Sequence, residues 1–564
     1  MSDASINILI GGEAGQGLVT IGQLMSKALV RTGYEIIVDQ EYLSRVRGGH
    51  NWFAIRTGPE PVLSPVEAVD ILVALDGTTI DVHKDKLTDR AIVLADAKLE
   101  CKNLNSLSIP FEELTPKVML HNTVALGVLG ALVCVELDVL ERLMADNFGK
   151  KGDEVVNENI EVLRKSYAWV GERDSRFECL APPPEDMPER MMLNGNEAIA
   201  LGALAAGCNF CSFYPMTPAT TVPLTLINAG KALNFVGEQA EDEIAAVNMA
   251  LGASYAGARA LVATSGGGFA LMEEGVSLAG ITETPLVIVL AQRPGPATGL
   301  PTRTEQADLN LALYSGHGEF PRAVFAPGDL EECFYLTHRA FDMTEKYQTP
   351  VFVLTDKFLA DSYRGVVPFN LDELPEVAAP ILEPDDPAGY KRYAVTEDGV
   401  SPRVVPGFSE ALVRVDSDEH TEEGFIAEDQ ETRIAQNEKR LRKGAGLLEE
   451  TVPPELFGED GADLLLLCWG STLGPALEAM QRLNASGTDT SVLHFKQLWP
   501  LKDDQFVPFL EEAGRVVGIE GNATGQFARL LRQETGFHIT DLVLRHDGFP
   551  FTPAYILECL EDIL

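Results

Sequence analysis

The sequence lacks any long apolar segment and any excess of basic residues. No stretch of about 18 residues, roughly the length of a membrane-spanning helix, is both apolar and free of charge, and the first residues, MSDAS, carry no basic signal-peptide start. Lys and Arg total 44 against 85 Asp and Glu, which gives a net charge of −41. Such a chain repels nucleic-acid phosphates and anionic membrane surfaces. We therefore expect a cytoplasmic protein with no nucleic-acid or membrane partner.

Cysteine is also sparse. The eight cysteines stand at 101, 134, 179, 208, 211, 333, 468 and 559, a scatter typical of a reducing compartment. Cys208 and Cys211 form an isolated C-x-x-C pair, whereas an iron–sulfur cluster needs four thiolates. We interpret the pair as two buried cysteines beside a turn and predict no metal site in this chain.

The length of 564 residues is too great for one hydrophobic core, and at about 150 residues per domain it predicts three or four domains. The proline-rich stretch 181–186 marks a boundary. Residues 366–462 hold 23 acidic and 9 basic side chains, an excess that indicates a solvated surface. We expect domains at 1–180, 190–365 and 462–564, with an acidic connector at 366–461.

The first domain begins with a strand, a glycine-rich turn and a helix. Residues 6–10 predict a buried strand, 11–17 (GGEAGQG) a tight turn, and 35–38 the next strand. This βαβ pattern raises a dinucleotide-binding hypothesis, with Asp39 as the ribose ligand. The spacing disagrees, because a G-x-G-x-x-G frame from Gly12 needs a glycine where Ala14 stands. Tight turns that need positive φ explain the same glycines.

Strands and helices alternate through 190–365. Strands are predicted at 211–214, 235–237, 258–263, 285–291 and 350–355, and this alternation is typical of a doubly wound parallel sheet. Four turns follow such strands: 214–218 (YPMTP), 238–243 (EQAEDE), 265–269 (SGGGF) and 295–299 (GPATG). Open α/β sheets bind ligands at these strand ends. In the last domain, strands at 463–469 and 517–520 also run into small-residue turns.

The four turns, in this order, resemble the α subunit of the 2-oxoacid:ferredoxin oxidoreductases. These are thiamine-diphosphate enzymes that oxidise a 2-oxoacid and form an acyl-coenzyme A. The resemblance implies a three-domain α/β protein. It identifies 190–365 with the pyrimidine-binding domain of thiamine enzymes and 462–564 with the C-terminal domain of transketolases. Residues 1–180 resemble the γ subunit, which carries a glycine-rich loop and an Arg-Gly-Gly turn, here at 45–49.

The resemblance further implies that this chain holds half of an active site. Thiamine enzymes hold Mg²⁺ and the diphosphate with a Gly-Asp-Gly turn, and no Gly-Asp-Gly occurs here. Backbone alone cannot replace the hard oxygen ligands of Mg²⁺. A β subunit is therefore expected to bring the diphosphate site, Mg²⁺ and a [4Fe–4S] cluster. Ferredoxin is the expected electron acceptor, coenzyme A the co-substrate, and (αβ)2 the assembly.

The resemblance places the acid–base role on Glu243. A buried glutamate there would donate to the aminopyrimidine ring, which then takes the thiazolium proton. Glu241 is the rival, although acidic residues are also favoured in a first helical turn by the helix dipole. The residues expected to bind the cofactor are Tyr214, Pro215, Glu243, Ser265 and Gly266.

Four residues are expected to bind substrate. Thr217 would meet the 2-oxo or carboxylate oxygens, or else cap the next helix. The substrate carboxylate needs a forked cation, for which we favour Arg303 over Arg293. The segment 316–322 resembles the branch that acts on 2-oxoglutarate, where His317 would serve the second carboxylate or would simply be a turn residue. The expected enzyme is thus a 2-oxoglutarate:ferredoxin oxidoreductase; a nicotinamide-dependent dehydrogenase and a non-catalytic scaffold chain stay as alternatives.

Overall fold

The computed structural model describes residues 5–43, 49–173, 179–184, 186–378 and 380–564. The Arg-Val-Arg-Gly part of the predicted turn at 45–49 lies outside the described residues. The chain forms two compact units. The first consists of Met1–Leu193, Asp361–Pro368 and Thr552–Ala554, and the second of Asn194–Ala360, Phe369–Phe551 and Tyr555–Leu564.

The strands of the described residues are β1 (Ile6–Glu13), β2 (Glu35–Glu41), β3 (His50–Gly58), β4 (Val69–Ala74), β5 (Leu87–Asp96), β6 (Ser106–Ile109), β7 (Met191–Leu193), β8 (Phe210–Phe213), β9 (Val236–Gln239), β10 (Ala260–Thr264), β11 (Leu286–Gln292), β12 (Ala323–Phe325), β13 (Pro350–Asp356), β14 (Arg364–Val366), β15 (Glu455–Phe457), β16 (Leu464–Trp469), β17 (Thr490–Phe495), β18 (Gln497–Trp499), β19 (Val516–Glu520) and β20 (Asp541–Leu544).

The α-helices of the same residues are α1 (Leu18–Arg31), α2 (Gly77–His83), α3 (Phe111–Leu114), α4 (His121–Leu132), α5 (Leu137–Phe148), α6 (Asp153–Gly171), α7 (Gly195–Ala205), α8 (Thr221–Ala229), α9 (Glu243–Tyr255), α10 (Gly266–Thr282), α11 (Leu309–Tyr314), α12 (Leu330–Tyr347), α13 (Lys357–Asp361), α14 (Gln430–Glu449), α15 (Leu473–Ser486), α16 (Val507–Glu512), α17 (Gln526–Thr535) and α18 (Pro553–Glu561).

The first unit is built on a mixed sheet with the strand order β6-β5-β4-β1-β3-β2-β14-β7. Strand β1 is parallel to β4 but antiparallel to β3, and β3 is also antiparallel to β2. The predicted βαβ unit therefore differs from a simple one, because β3 separates the two strands that α1 connects. Apolar side chains of α1, α4, α5 and α6 cover the sheet and form one core.

Two cysteines of the first unit depart from the expected unpaired state. Cys134 and Cys179 form a disulfide, with their Cα atoms 5.5 Å apart. The expectation of a wholly reduced set is therefore wrong for this pair. The interpretation of the C-x-x-C pair is confirmed, because Cys208 and Cys211 are both free and buried and burial raises the pKa of each thiol. Among the described residues no group of three or more His, Cys, Asp or Glu could hold a metal ion.

The second unit contains the predicted parallel sheet. Its strand order is β18-β12-β13-β11-β10-β8-β9, and every pairing from β12 to β9 is parallel. Strands β8, β10, β11 and β13 are short and mostly buried apolar runs that end at a Gly, Pro or polar turn, which is why the sequence pattern located them, whereas the edge strand β9 is largely exposed. The doubly wound fold predicted for this block is confirmed.

A second sheet in this unit has the order β15-β17-β16-β19-β20. Pairings from β17 to β20 are parallel, and β15 adds an antiparallel edge. Strand β18, which follows β17 in the chain, pairs antiparallel with β12 and so extends the first sheet. One apolar core includes Leu290 and Phe352 of the first sheet and Leu467 and Phe495 of the second.

The acidic side chains of the connector are in contact with solvent, but several of its basic side chains are buried. Its acidic side chains are exposed or half-buried, as expected. In contrast, Lys439 and Lys443 of α14 are buried, and both pair with the fully buried Glu283 after α10. Burial favours the neutral acid, but Lys443, Lys439 and Arg392 outweigh it and lower the pKa of Glu283 to about 2. This ion cluster fixes the connector to the sheet domain.

None of the helices in the described part of the chain is both long enough and apolar enough to cross a membrane.

Candidate active site

Several of the predicted site residues follow strands at the carboxyl end of the parallel sheet. Tyr214 follows β8, Ser265 follows β10 and Arg293 follows β11. Parallel strands direct their carboxyl ends to one edge, and this edge is where open α/β sheets bind ligands. The topology therefore brings together three turns that lie up to 79 residues apart in the sequence.

Glu243 is the first residue of α9 and is buried, with 4% of its surface exposed. The preceding Asp242 caps the helix, accepting a hydrogen bond from Ala245 N at 2.7 Å. Capping by Asp242 turns the Glu243 side chain inward, whereas Glu241 is exposed. Glu243 Oε1 is buried and has no hydrogen-bond partner within the described residues. A buried acceptor or donor left unpaired costs about 1–3 kcal/mol, a cost that a ligand would remove.

The glycine-rich turn after β10 leaves room for this carboxyl group. A Cβ atom at Gly268 would lie 2.6 Å from Glu243 Oε1 and would also overlap the Thr264 hydroxyl. Ser265 is fully buried, and its hydroxyl neither caps α10 nor meets another partner in the described structure. The carboxyl group of Glu243 and the hydroxyl group of Ser265 are therefore both unpaired next to a helix start that consists of glycines.

The proline-bracketed turn contacts a buried arginine. Arg293 Nη1 donates to the carbonyl oxygen of Thr217 at 2.7 Å, and Asn196 Nδ2 donates to Pro218 O at 2.8 Å. Thr217 is not the cap of α8, since Thr220 precedes that helix and makes no side-chain cap. Tyr214 and Pro215 are exposed on this turn. The capping interpretation of Thr217 is thus not supported.

Asp308 is a buried acid beside these residues that the sequence pattern did not reveal. Its carboxyl group packs against Gly266, where a Cβ atom would lie 2.7 Å from Asp308 Cγ. Burial and Glu305 raise the pKa of Asp308 to about 6, against the opposing effect of Arg293. Burial in turn lowers the pKa of Arg293, while Asp308 opposes that shift. The sequence could have indicated this residue, because Asp308 is an acid within a mostly apolar stretch at 307–313.

Arg303 takes a different position from Arg293. Its guanidinium carbon lies 4.3 Å from the centre of the Phe549 ring, and the next residue, Thr304, donates its N–H to Gly548 O at 3.1 Å. These contacts place Arg303 against the turn after β20. The structure thus brings Arg293, rather than the favoured Arg303, into contact with Thr217.

His317 lies at the opposite end of α10. Its carbonyl oxygen accepts a hydrogen bond from Ser277 Oγ at 2.8 Å, and its side chain is exposed. Ser277 is eleven residues after Gly266, so the two are separated by about 16 Å along the helix axis. The structure therefore does not bring His317 together with Glu243 and Ser265. It lines a separate cavity of about 200 Å³ that also includes Arg433 and Arg440.

The N-terminal glycines do not form an open phosphate-binding turn. Gly11 and Gly12 belong to β1 and pair with Trp52 and Asn51 of β3. Gly17 has a φ of 79° before α1, and a Cβ atom there would overlap the Asn122 side chain. The start of α1 is therefore covered by a side chain, which disfavours the dinucleotide hypothesis and agrees with a tight turn.

Three family descriptions match successive parts of the chain. Residues 7–169 match pyruvate ferredoxin/flavodoxin oxidoreductase, 201–439 match the thiamine-diphosphate-binding part of pyruvate flavodoxin/ferredoxin oxidoreductase, and 457–546 match the transketolase C-terminal domain. The 2-oxoacid:ferredoxin oxidoreductase α subunit of a Sulfolobus species is 32% identical over 99% of this chain and 96% of its own. The chain belongs to this family of α subunits.

Further matches agree with that membership. The 2-oxoglutarate oxidoreductase subunit KorA of Mycobacterium tuberculosis is 28% identical over 94% of this chain and 87% of its own. A solved 2-oxoglutarate:ferredoxin oxidoreductase from Magnetococcus marinus, with 2-oxoglutarate, coenzyme A and succinyl-CoA bound, is 32% identical. Its TM-score is 0.92, and the match covers 99% of both chains. The family and fold predicted from the four turns are confirmed, and the protein is a thiamine-diphosphate-dependent 2-oxoacid:ferredoxin oxidoreductase α subunit that works with partner subunits.

Proposed function

We propose that this chain supplies the pyrimidine side of the active site in a 2-oxoglutarate:ferredoxin oxidoreductase. The observation that carries the proposal is the Glu243 carboxyl group, which is buried and unpaired at Oε1 in the domain that matches thiamine-diphosphate-binding proteins. An aminopyrimidine ring offers a nitrogen that such a group can protonate. The residues present therefore fit the cofactor's ring.

The reaction that we assign converts a 2-oxoacid and coenzyme A to an acyl-CoA and carbon dioxide. Two electrons pass to two ferredoxins, one each, and one proton is released. Bound thiamine diphosphate supplies the nucleophilic carbon that makes the decarboxylation possible. Glu243 holds and exchanges a proton at the aminopyrimidine nitrogen, which is general acid–base work that is typically worth about 10²–10⁴-fold in rate.

Arg293 and Thr217 are assigned to the substrate carboxylate. The hydrogen bond to Thr217 O uses one of the five N–H donors of a guanidinium group. The other donors can form a forked pair with a carboxylate. Tyr214, Pro215, Ser265 and Gly266 complete the proposed cofactor and substrate surface. We do not assign Arg303 and His317 to this surface.

A partner must complete the site. The part of the chain described by the structure offers no cluster of metal-binding side chains, so Mg²⁺, the diphosphate contacts and a [4Fe–4S] cluster are assigned to a β subunit. We further propose an (αβ)2 assembly that delivers electrons to ferredoxin. The M. marinus enzyme, solved with 2-oxoglutarate and succinyl-CoA, supports 2-oxoglutarate as the substrate.

The test is to co-express this chain with the β subunit of its host and to purify the complex. Reduction of ferredoxin should require both a 2-oxoacid and coenzyme A, with a higher kcat/KM for 2-oxoglutarate than for pyruvate. A higher kcat/KM for pyruvate would overturn the substrate proposal, and reduction of NAD⁺ in place of ferredoxin would overturn the reaction.

A further inference from the structure

Asp308 is tied to the end of β11 beside Arg293. Its backbone N–H donates to Gln292 Oε1 at 2.9 Å, and Gln292 Nε2 donates to Thr355 O at 3.2 Å. The Asp308 side chain makes no cap for α11. Its Oδ2 atom is buried without a hydrogen-bond partner among the residues that the structure describes. The carboxyl group is therefore fixed in place by its backbone rather than used to stabilise a helix.

Backbone atoms and an amide side chain pack around this carboxyl group and the segment that carries it. On one side it packs against the backbone of Gly266, in a first turn of α10 that consists of Gly266, Gly267 and Gly268. On another side, Gln526 of α17 bonds the backbone of the same segment through Ala307 O at 2.7 Å and Asn310 N at 3.0 Å. Neither the glycines of this turn nor Gln526 carries a charge, whereas Glu243 of α9 packs against the same turn at Gly268.

Two charged groups act on Asp308. Glu305, in the same segment, raises its pKa together with burial, and Arg293 lowers it; the resulting pKa is about 6. Glu305 itself has a pKa raised by burial and lowered by His546. Asp308 is therefore mostly ionised at neutral pH but close to its titration range, and Arg293 is the cation that keeps it ionised.

We propose that Asp308 couples binding of the substrate carboxylate at Arg293 to the uptake of one proton, an inference that rests on the proposed function. When a carboxylate pairs with Arg293, the cation that favours ionised Asp308 is neutralised and a second negative charge arrives nearby. Both changes favour protonation of Asp308. The proton comes from solvent and returns to it when the site empties. Asp308 is a positioning residue that touches neither substrate nor cofactor.

Linkage gives the reciprocal effect. If binding favours protonation, prior protonation of Asp308 must favour binding by the same factor. The substrate carboxyl groups stay ionised above pH 5.5. The KM for 2-oxoglutarate in the wild-type complex should therefore fall by about tenfold from pH 8 to pH 5.5, a coupling of ordinary size. In Asp308→Asn the KM should be low throughout and change by less than about twofold over this range.

A direct measurement uses 2-hydroxyglutarate, which lacks the reacting carbonyl group. Its addition to the complex in weak buffer at pH 7 should take up about 0.4 proton per site, the fraction that a tenfold coupling gives for a group with a pKa of about 6. The uptake is read with a pH indicator, and Asp308→Asn should take up none. Glu305→Gln is the matched control: it should keep the uptake, with the midpoint of the KM profile moved to lower pH.

A purely structural role would lower the thermal stability or kcat of Asp308→Asn while its KM remained as pH-dependent as in the wild type. That result, or a wild-type complex without proton uptake, would overturn the inference. Loss of uptake in Glu305→Gln would transfer the role to Glu305 and overturn it equally. If Asp308→Asn failed to assemble, the wild-type and Glu305→Gln measurements would still decide. A complex that oxidises no 2-oxoacid would instead refute the proposed function.

Discussion

Arg293 Nη1 donates a 2.7 Å hydrogen bond to the carbonyl oxygen of Thr217, 76 residues earlier in the chain. This bond joins the end of β11 to the turn after β8 across the carboxyl edge of the sheet. Because Arg293 is buried while Thr217 is half-buried, the pair presents a fixed cation to whatever binds at that edge.

We expect Arg293→Ala to weaken binding of the 2-oxoacid more than Arg303→Ala does. Loss of a charge-assisted pair is worth about 1.5–3 kcal/mol, or roughly a 10- to 150-fold rise in KM. Arg303→Ala should cost about 0.5–1 kcal/mol of stability through its contact with Phe549 and change KM little. Steady-state kinetics of the reconstituted complex check this order, and the reverse order would restore Arg303 as the substrate ligand.

Gly268→Ala should disable the site without unfolding it. The added Cβ would lie 2.6 Å from Glu243 Oε1 and would displace that carboxyl group, and a misplacement of about 1 Å can reduce turnover by about 100-fold. Gly267→Ala is the neighbouring control, because its Cβ would meet only Ala297 O at 3.5 Å. Turnover and the melting temperature of both variants are the measurements. Equal turnover in the two variants would contradict the assigned geometry.

Glu283→Gln should lower the free energy of unfolding by about 3–5 kcal/mol, since it leaves Lys439 and Lys443 buried without a counter-charge. The folded pKa of Glu283 lies below its ordinary value of 4.5, at about 2. Its contribution is therefore fully present above pH 4.5 and is lost as the pH falls towards 2. Urea denaturation at pH 7 and pH 3 tests both points.

The control for that experiment is Glu422→Gln, whose partner Lys391 is more exposed. That variant should unfold within about 1 kcal/mol of the wild type. A similar loss in both variants would mean that burial of the Glu283 cluster carries no special weight.

Local patterns predicted much of this fold. Buried apolar runs that end at glycine or proline located β8, β10, β11, β13, β16 and β19 to within one or two residues. The acidic run at 238–243 marked the start of α9 only to within two residues, because the structure starts this helix at Glu243 and uses Asp242 as its cap. These features are encoded within a few residues of sequence.

Local sequence patterns did not predict the features that depend on contacts between distant residues. The insertion of β3 between β1 and β2, and the pairing of β14 with β7 and β2, follow from contacts between distant segments. Arg303 and Arg293 look alike beside the same glycine-rich loop, and only the fold separates them. Residue type alone does not predict that Lys439 and Lys443 are buried, because lysine is almost never buried unless it is paired. Only the fold brings both side chains to their partner, Glu283.

The isolated chain should neither oxidise 2-oxoacids nor show visible iron–sulfur absorbance. We expect this because the sequence contains no Gly-Asp-Gly turn of the kind that holds Mg²⁺ and the diphosphate in thiamine enzymes. Absorbance spectra and acceptor-reduction assays, before and after addition of the β subunit, measure this. Turnover by the single chain would refute the division of the active site between two subunits.

The measurement closest to the central claim is hydrogen–deuterium exchange at the thiazolium carbon of the cofactor in the reconstituted complex. Glu243→Gln keeps the shape of the side chain but removes its exchangeable acidic proton, so exchange and turnover should both slow by about 10²–10⁴-fold. The exposed Glu241→Gln is the control, because a charge just before the start of α9 contributes only about 0.3–1 kcal/mol through the helix dipole. Slowed exchange in Glu243→Gln alone is the predicted result. Normal exchange in Glu243→Gln, or slowed exchange in Glu241→Gln, would contradict the assignment.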